Sequence, residues 1–190
     1  KFFDNLYIKL SNIPKPRIVE FGVRHGTSTS MFLDICFLNN GKLYSVDCND
    51  YSKKFNSANW HFIRAFDTDF DFLLDKLPSK NDVIFLDTIH KAEHVLNVFK
   101  NYFHILKVGG YFIIDDINWV PYLKGKKHDH FFKEVNCKET FNSLIQLYNL
   151  NNDKIDIQFA FNDTGIAIIN KIADGKILFN SKNISRDKSF

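Results

Sequence analysis

Four short apolar runs in this chain each carry an acid at or near their C-terminal end. They are "RIVEFG" (17–22), "GKLYSVD" (41–47), "DVIFLD" (82–87) and "GGYFIIDD" (109–116). Helix-patterned segments separate them. Near-continuous apolar runs are the mark of strands covered on both faces. A carboxylate inside such a layer is costly to desolvate, and the adjacent pair Asp115-Asp116 would also repel itself. The acids therefore belong at strand ends, on one edge of a sheet.

The rest of the pattern agrees. Helical spacing is read over "FFDNLYIKL" (2–10), "TSTSMFLDICFLN" (27–39), "DTDFDFLLDKL" (67–77), "HKAEHVLNVFKNYFHIL" (90–106) and "CKETFNSLIQLYNL" (137–150). Thr27 or Ser28 is the expected cap of the second helix. "WHFIRA" (60–65) is a further strand, and residues 117–134 read as irregular. "KIDIQFAF" and "IAIINK" flank Asn162-Asp163-Thr164-Gly165, a hairpin with its turn. Strands alternating with helices predict an α/β fold, a mostly parallel sheet with helices on both faces. Counting the hairpin gives seven strands. One domain is expected over 1–172, followed by a weakly patterned tail, 173–190.

Composition narrows the function classes. Net charge is +3, too small and too dispersed for a nucleic-acid footprint. No run reaches the roughly 18 apolar residues of a membrane span. Cys36, Cys48 and Cys137 lack metal-type spacing and are odd in number, which favours a reducing, cytoplasmic setting over a disulfide framework. No secretory-signal pattern is read.

Ligands of such sheets lie beyond the C-terminal strand ends, where Glu20, Asp47, Asp87 and Asp115-Asp116 gather. "VEFGVRHGTST" (19–29) is a strand, a glycine turn and a helix start. Gly22 and Gly26 would admit a ligand to the backbone, and the helix amides could hold an anionic group; a tight turn without a ligand is the other reading. The spacing G-x-x-x-G is not the dinucleotide pattern G-x-G-x-x-G. Asp47 follows Gly22 by 25 residues, where an acid caps a turn or holds a ribose. Together the two features favour a nucleoside-containing cofactor.

Asp87, Asp115 and Asp116 make sense at one point if a divalent cation neutralises them; the other reading is a cap plus a surface acid. Carboxylate oxygens suit Mg²⁺. His90, three residues after Asp87 and expected at a helix start, is either packed on the sheet or a general base at neutral pH. His94, one helical turn later, and His25, His104, His128 and His130 have weaker claims.

These residues resemble the class I S-adenosylmethionine-dependent methyltransferases, and "VEFGVRHGTST", "LYSVD", "VIFLDTIH" and "GGYFIIDDINW" resemble the metal-dependent O-methyltransferases. Asp-Asp stands where the catechol and caffeoyl-coenzyme A enzymes carry Asp-Asn. The Asp-x-x-His form, with "EHVL" after it, is similar to the macrocin and mycinamicin sugar O-methyltransferases and to the cephalosporin hydroxylase-like group. The likeness covers about Ile18 to Trp119. It implies a Rossmann-like fold, S-adenosyl-L-methionine as cofactor and a divalent cation, with Mg²⁺ expected. It implies Asp87, Asp115 and Asp116 as metal ligands and His90 as base. Glu20, Gly22, Gly26 and Thr27 would line the methionine part, Asp47 the ribose, and Ala65, Phe66 and Asp67 the adenine, with Asp87 also facing the cofactor. A small-molecule or glycan acceptor with vicinal hydroxyls is expected, walled in part by Trp119, Tyr122, Phe131 and Phe132. Relatives often assemble, so a homo-oligomer is an expectation. The competing readings are a non-catalytic Rossmann-like binding module and an NAD-dependent oxidoreductase.

Overall fold

The computed structural model describes residues 2–119, 131–162 and 164–179, with side chains described from residue 6 and, after the break at 120–130, from residue 134. A seven-stranded sheet runs through them in the order β3-β2-β1-β4-β5-β7-β6. The strands are β1 (Arg17–Phe21), β2 (Lys42–Asp47), β3 (Trp60–Arg64), β4 (Asn81–Leu86), β5 (Leu106–Asp115), β6 (Ile155–Ala160) and β7 (Ile166–Lys171). The first five pair in parallel, and β7 pairs antiparallel with both β5 and β6. The chain builds outward from β1 to β3, then crosses back to lay β4 on the other side of β1. That reversal opens a crevice at the C-terminal ends of β1 and β4.

Alternate residues of each strand feed two cores. On one face Ile18, Leu43, Val83, Phe85 and Ile113 pack under α1 (Phe2–Ser11) and α2 (Thr27–Leu38). On the other, Val19, Phe21, Ile84, Phe112 and Ile114 pack under α3 (Phe70–Lys76), α4 (Ala92–Tyr102) and α5 (Phe131–Asn151). Phe21, Phe32, Phe85, Phe99 and Phe112 are among the largest fully buried side chains, each contributing about 1.5–3 kcal/mol by burial. Much of the phenylalanine content is thus core.

Several helix boundaries depart from the sequence reading. Gly26, not Thr27 or Ser28, caps α2, because the Ser28 and Thr29 hydroxyls donate to Glu20 instead. α3 starts at Phe70, since Asp67 is turned inward and the Asp69 carboxylate accepts the Phe66 amide. α4 starts at Ala92, leaving His90 in a loop rather than at a helix start. α5 starts at Phe131, six residues before the expected Cys137. Residues 173–179 of the expected tail dock on the body: the Leu178 amide donates to Asn151 Oδ1, Asn151 Nδ2 donates to the Leu178 carbonyl, and Phe179 packs against the core. Among the described residues no helix is long and apolar enough to cross a membrane.

Candidate active site

The glycine turn and the acids at the strand ends form two groups along one rim, which the buried Glu20 side chain does not join. The first surrounds the turn after β1. Gly22 has φ +98°, and a Cβ there would lie 2.1 Å from the Asp87 carbonyl oxygen. Only glycine lets the turn pass so close to the end of β4. Gly26 lies under Lys54 and Phe55, and Lys54 Nζ donates to the Arg24 carbonyl at 3.0 Å. The β2–β3 loop thereby folds over the turn. Thr27 is exposed.

Glu20 is fully buried. It is the second-last residue of β1, so its side chain points into the α2 layer rather than over the rim. Its carboxylate accepts hydroxyl hydrogen bonds from Ser28 (2.6 Å), Ser45 (2.6 Å) and Thr29 (2.9 Å). Trp60 Nε1 donates to Ser45 Oγ behind it. Burial raises the Glu20 pKa to about 7, against the opposing pull of the three hydroxyls. Asp47 also binds this turn: Oδ2 accepts the Val23 amide at 2.9 Å, while Oδ1 accepts the Asn49 amide in the loop after β2.

Beyond β3, Ala65 is half-buried and Phe66 exposed. Asp67 is buried. Asp67 Oδ2 accepts from the Thr88 hydroxyl and lies 2.7 Å from His94 Nε2, and the Tyr102 hydroxyl donates to its carbonyl. His94 therefore pairs with Asp67, away from His90. His25 and His104 are exposed.

The second group lies across the crevice. Ligand atoms of Asp87, His90 and Asp116 all lie within 4.8 Å of one another. His90 Nε2 is 3.1 Å from Asp116 Oδ2 and 3.7 Å from Asp87 Oδ1. With metal–oxygen bonds of about 2.1 Å, neighbouring donors of an octahedral ion stand about 3 Å apart. Asp87 and Asp116 thus bring carboxylates near enough to hold a small divalent cation, with the His90 imidazole beside it.

Asp115, the other acid expected here, is not part of that convergence. Its Oδ1 accepts the Asp116 amide at 2.7 Å and the Thr164 hydroxyl at 3.0 Å. Burial, with the charge of Asp87, raises its pKa to about 6. Asp116 has φ +60°, a left-handed conformation that Asp tolerates better than most residues. Cys137 Sγ lies 2.9 Å from its carbonyl oxygen.

The methyltransferase-domain family matches residues 19–117, just over half of the chain. This chain belongs to that family. No curated protein matches it. Among solved structures it is similar to MycE, a methyltransferase of the mycinamycin biosynthetic pathway solved with Mg, SAH and mycinamycin VI. There the identity is 21%, the TM-score 0.64, and the alignment covers 90% of this chain and 48% of that one. The chain thus spans about half the length of MycE. It is also similar to an SAH-bound methyltransferase, PaMTH1, from Podospora anserina, at 14% identity and TM-score 0.69, covering 90% and 77%. A candidate caffeoyl-CoA O-methyltransferase from Staphylococcus aureus aligns at 18% identity and TM-score 0.66, covering 90% and 82%. These likenesses establish a Rossmann-like methyltransferase fold.

Of the expected acceptor wall, Tyr122 lies outside the described residues, as do His128 and His130 and the side chains of Phe131 and Phe132. Trp119 joins an aromatic group with Phe141, 6.3 Å between centroids, and Lys138 Nζ stands 5.3 Å over its ring. Sequence reading missed Ser28, Ser45, Thr88, Thr164 and Cys137. No local pattern marks their partners, because the contacts span 8 to 49 residues of chain.

Proposed function

We propose that this chain is an S-adenosyl-L-methionine-dependent O-methyltransferase that uses a divalent cation, Mg²⁺ by preference, to methylate a hydroxyl of a small-molecule or glycan acceptor. The observation that carries this reading is the convergence of Asp87, His90 and Asp116 beside the glycine turn in a methyltransferase-family chain. The complexes of MycE with Mg and SAH support the same choice of cofactors. The cofactor would supply an electrophilic methyl group, and the cation would acidify the acceptor hydroxyl.

The chain's own residues do the rest. The amides at the start of α2 and the turn at Gly22 cradle the amino-acid end of the cofactor. Asp47 orients the ribose, and Ala65 and Phe66 border the adenine. Asp87 and Asp116 hold the cation. His90 takes the hydroxyl proton at Nδ1, while the Asp116 oxygen beside Nε2 stabilises the imidazolium that results. Positioning accounts for much of the acceleration. A vicinal diol is the favoured acceptor, because two adjacent oxygens can chelate one cation; the sugar class rests on the Asp-x-x-His form. A cytoplasmic location and a homo-oligomeric state belong to the same proposal.

Calorimetric titration with S-adenosylhomocysteine, with and without Mg²⁺ and beside NAD, tests the reading. Micromolar binding of S-adenosylhomocysteine alone is the expected result. NAD binding in its place would favour an oxidoreductase, and binding of neither compound would favour a non-catalytic module.

A further inference from the structure

We infer that Thr164, in the turn of the C-terminal hairpin, is a positioning residue of the cation site. This rests on the reading of Asp87, His90 and Asp116 as that site, and it goes further by assigning a role to an element outside the family-matched span of 19–117. A hairpin turn needs only its own strand ladder, yet this one is bound to the loop that follows β5. The Thr164 hydroxyl donates to Asp115 Oδ1, 49 residues away in sequence. Its carbonyl accepts the Asn118 amide at 2.9 Å, and the Gly165 carbonyl accepts the Ile117 amide at 3.2 Å. Gly165 has φ +78°, and a Cβ there would meet Asn118 at 2.5 Å, so turn and loop are seated in direct contact.

The consequence passes through Asp115 to Asp116. Asp115 Oδ1 accepts both the Thr164 hydroxyl and the Asp116 amide. The hydroxyl fixes the Asp115 rotamer, and that carboxylate then holds the peptide that puts Asp116 in its left-handed conformation. From that conformation Asp116 Oδ2 stands 3.1 Å from His90 Nε2. The two acids therefore divide the work: Asp116 meets His90 and Asp115 braces the peptide that places it. Groups that orient metal ligands typically cost 10–100-fold in affinity when removed.

The test is Mn²⁺ binding to the full chain, read as free Mn²⁺ by electron paramagnetic resonance, without cofactor or acceptor. Thr164→Val keeps the shape and removes the hydroxyl; it should weaken Mn²⁺ binding about 10-fold. Thr164→Ser keeps the hydroxyl and should stay within about 3-fold of the parent chain. Thr164→Ala repeats the deletion with no bulk to misplace, and circular dichroism confirms folding of each variant. Parent-like Mn²⁺ affinity in a folded Val or Ala variant overturns the inference and leaves the cation site standing. Equal weakening in the Ser and Val variants also overturns it, since shape rather than the hydroxyl would then matter. A parent chain that binds no Mn²⁺ overturns both the inference and the cation reading.

Discussion

Glu20 and Asp116 look alike in sequence, each an acid closing an apolar run, yet they occupy opposite environments. Glu20 lies one residue short of the end of β1 and is sealed among three hydroxyls. Asp116 lies one residue past the end of β5 and stands at the crevice beside His90. The sheet's two-residue period makes such small offsets decisive. An acid inside the ladder becomes an anchor that ties α2 and β2 to β1. An acid past the ladder can instead reach across the strand ends, as Asp116 reaches His90. On the proposed function the rim has a braced cofactor half and a chemical half, joined where Gly22 touches the Asp87 carbonyl.

Breaking that junction should have the largest effect. Gly22→Ala places a Cβ 2.1 Å from the Asp87 oxygen in a positive-φ conformation. A loss of about 4 kcal/mol or more in denaturant unfolding is expected, along with loss of both cofactor and Mn²⁺ binding.

The anchor half can be isolated by pH. The folded pKa of Glu20 is raised from 4.5 to about 7. The folded chain therefore holds a proton that the unfolded chain releases between those values, and stability falls as pH rises through that window. The contribution approaches about 3 kcal/mol between pH 4.5 and 8. Asp115, raised to about 6, acts in the same direction at lower pH. Urea melts at pH 5 and pH 8 should show Glu20→Gln flattening most of the difference.

The chemical half should respond in the opposite manner. Asp116→Ala should weaken Mn²⁺ binding at least about 100-fold while costing stability only about 1 kcal/mol. Glu20→Gln should leave Mn²⁺ affinity unchanged in the same titration. Thr88→Val, which removes one hydroxyl from Asp67 at the foot of the Asp87–His90 loop, should cost about 1–2 kcal/mol of stability. Phe66→Ala is expected to have the smallest effect on stability, within about 0.5 kcal/mol, because Phe66 is exposed. S-adenosylhomocysteine affinity measured on that variant reports whether the ring borders the adenine.

The strand–helix alternation, the hairpin and the placing of Asp47, Asp87 and Asp116 at strand ends were legible because they rest on apolar periodicity and on the cost of burying charge; Glu20 escapes that rule because three hydroxyls bind its carboxylate inside the α2 layer. Three placements were not legible. Asp67 reads locally as a helix-start acid, but Thr88 and His94 capture it from 21 and 27 residues away. Thr164 reads as ordinary turn chemistry, and only the antiparallel return of β7 beside β5 brings it to Asp115. Side-chain partners chosen by topology leave no periodic trace in the chain. The same holds for His90: its spacing from Asp87 was visible, while its approach to Asp116 depends on how β4 and β5 are paired.

The most direct measurement is a crystal structure of the chain soaked with Mn²⁺ and S-adenosylhomocysteine, read by anomalous scattering. The account predicts one Mn²⁺ peak within about 2.0–2.5 Å of carboxylate oxygens from Asp87 and Asp116, with the homocysteine compound in the crevice beside Gly22. A bound homocysteine compound with no Mn²⁺ at those carboxylates would contradict it.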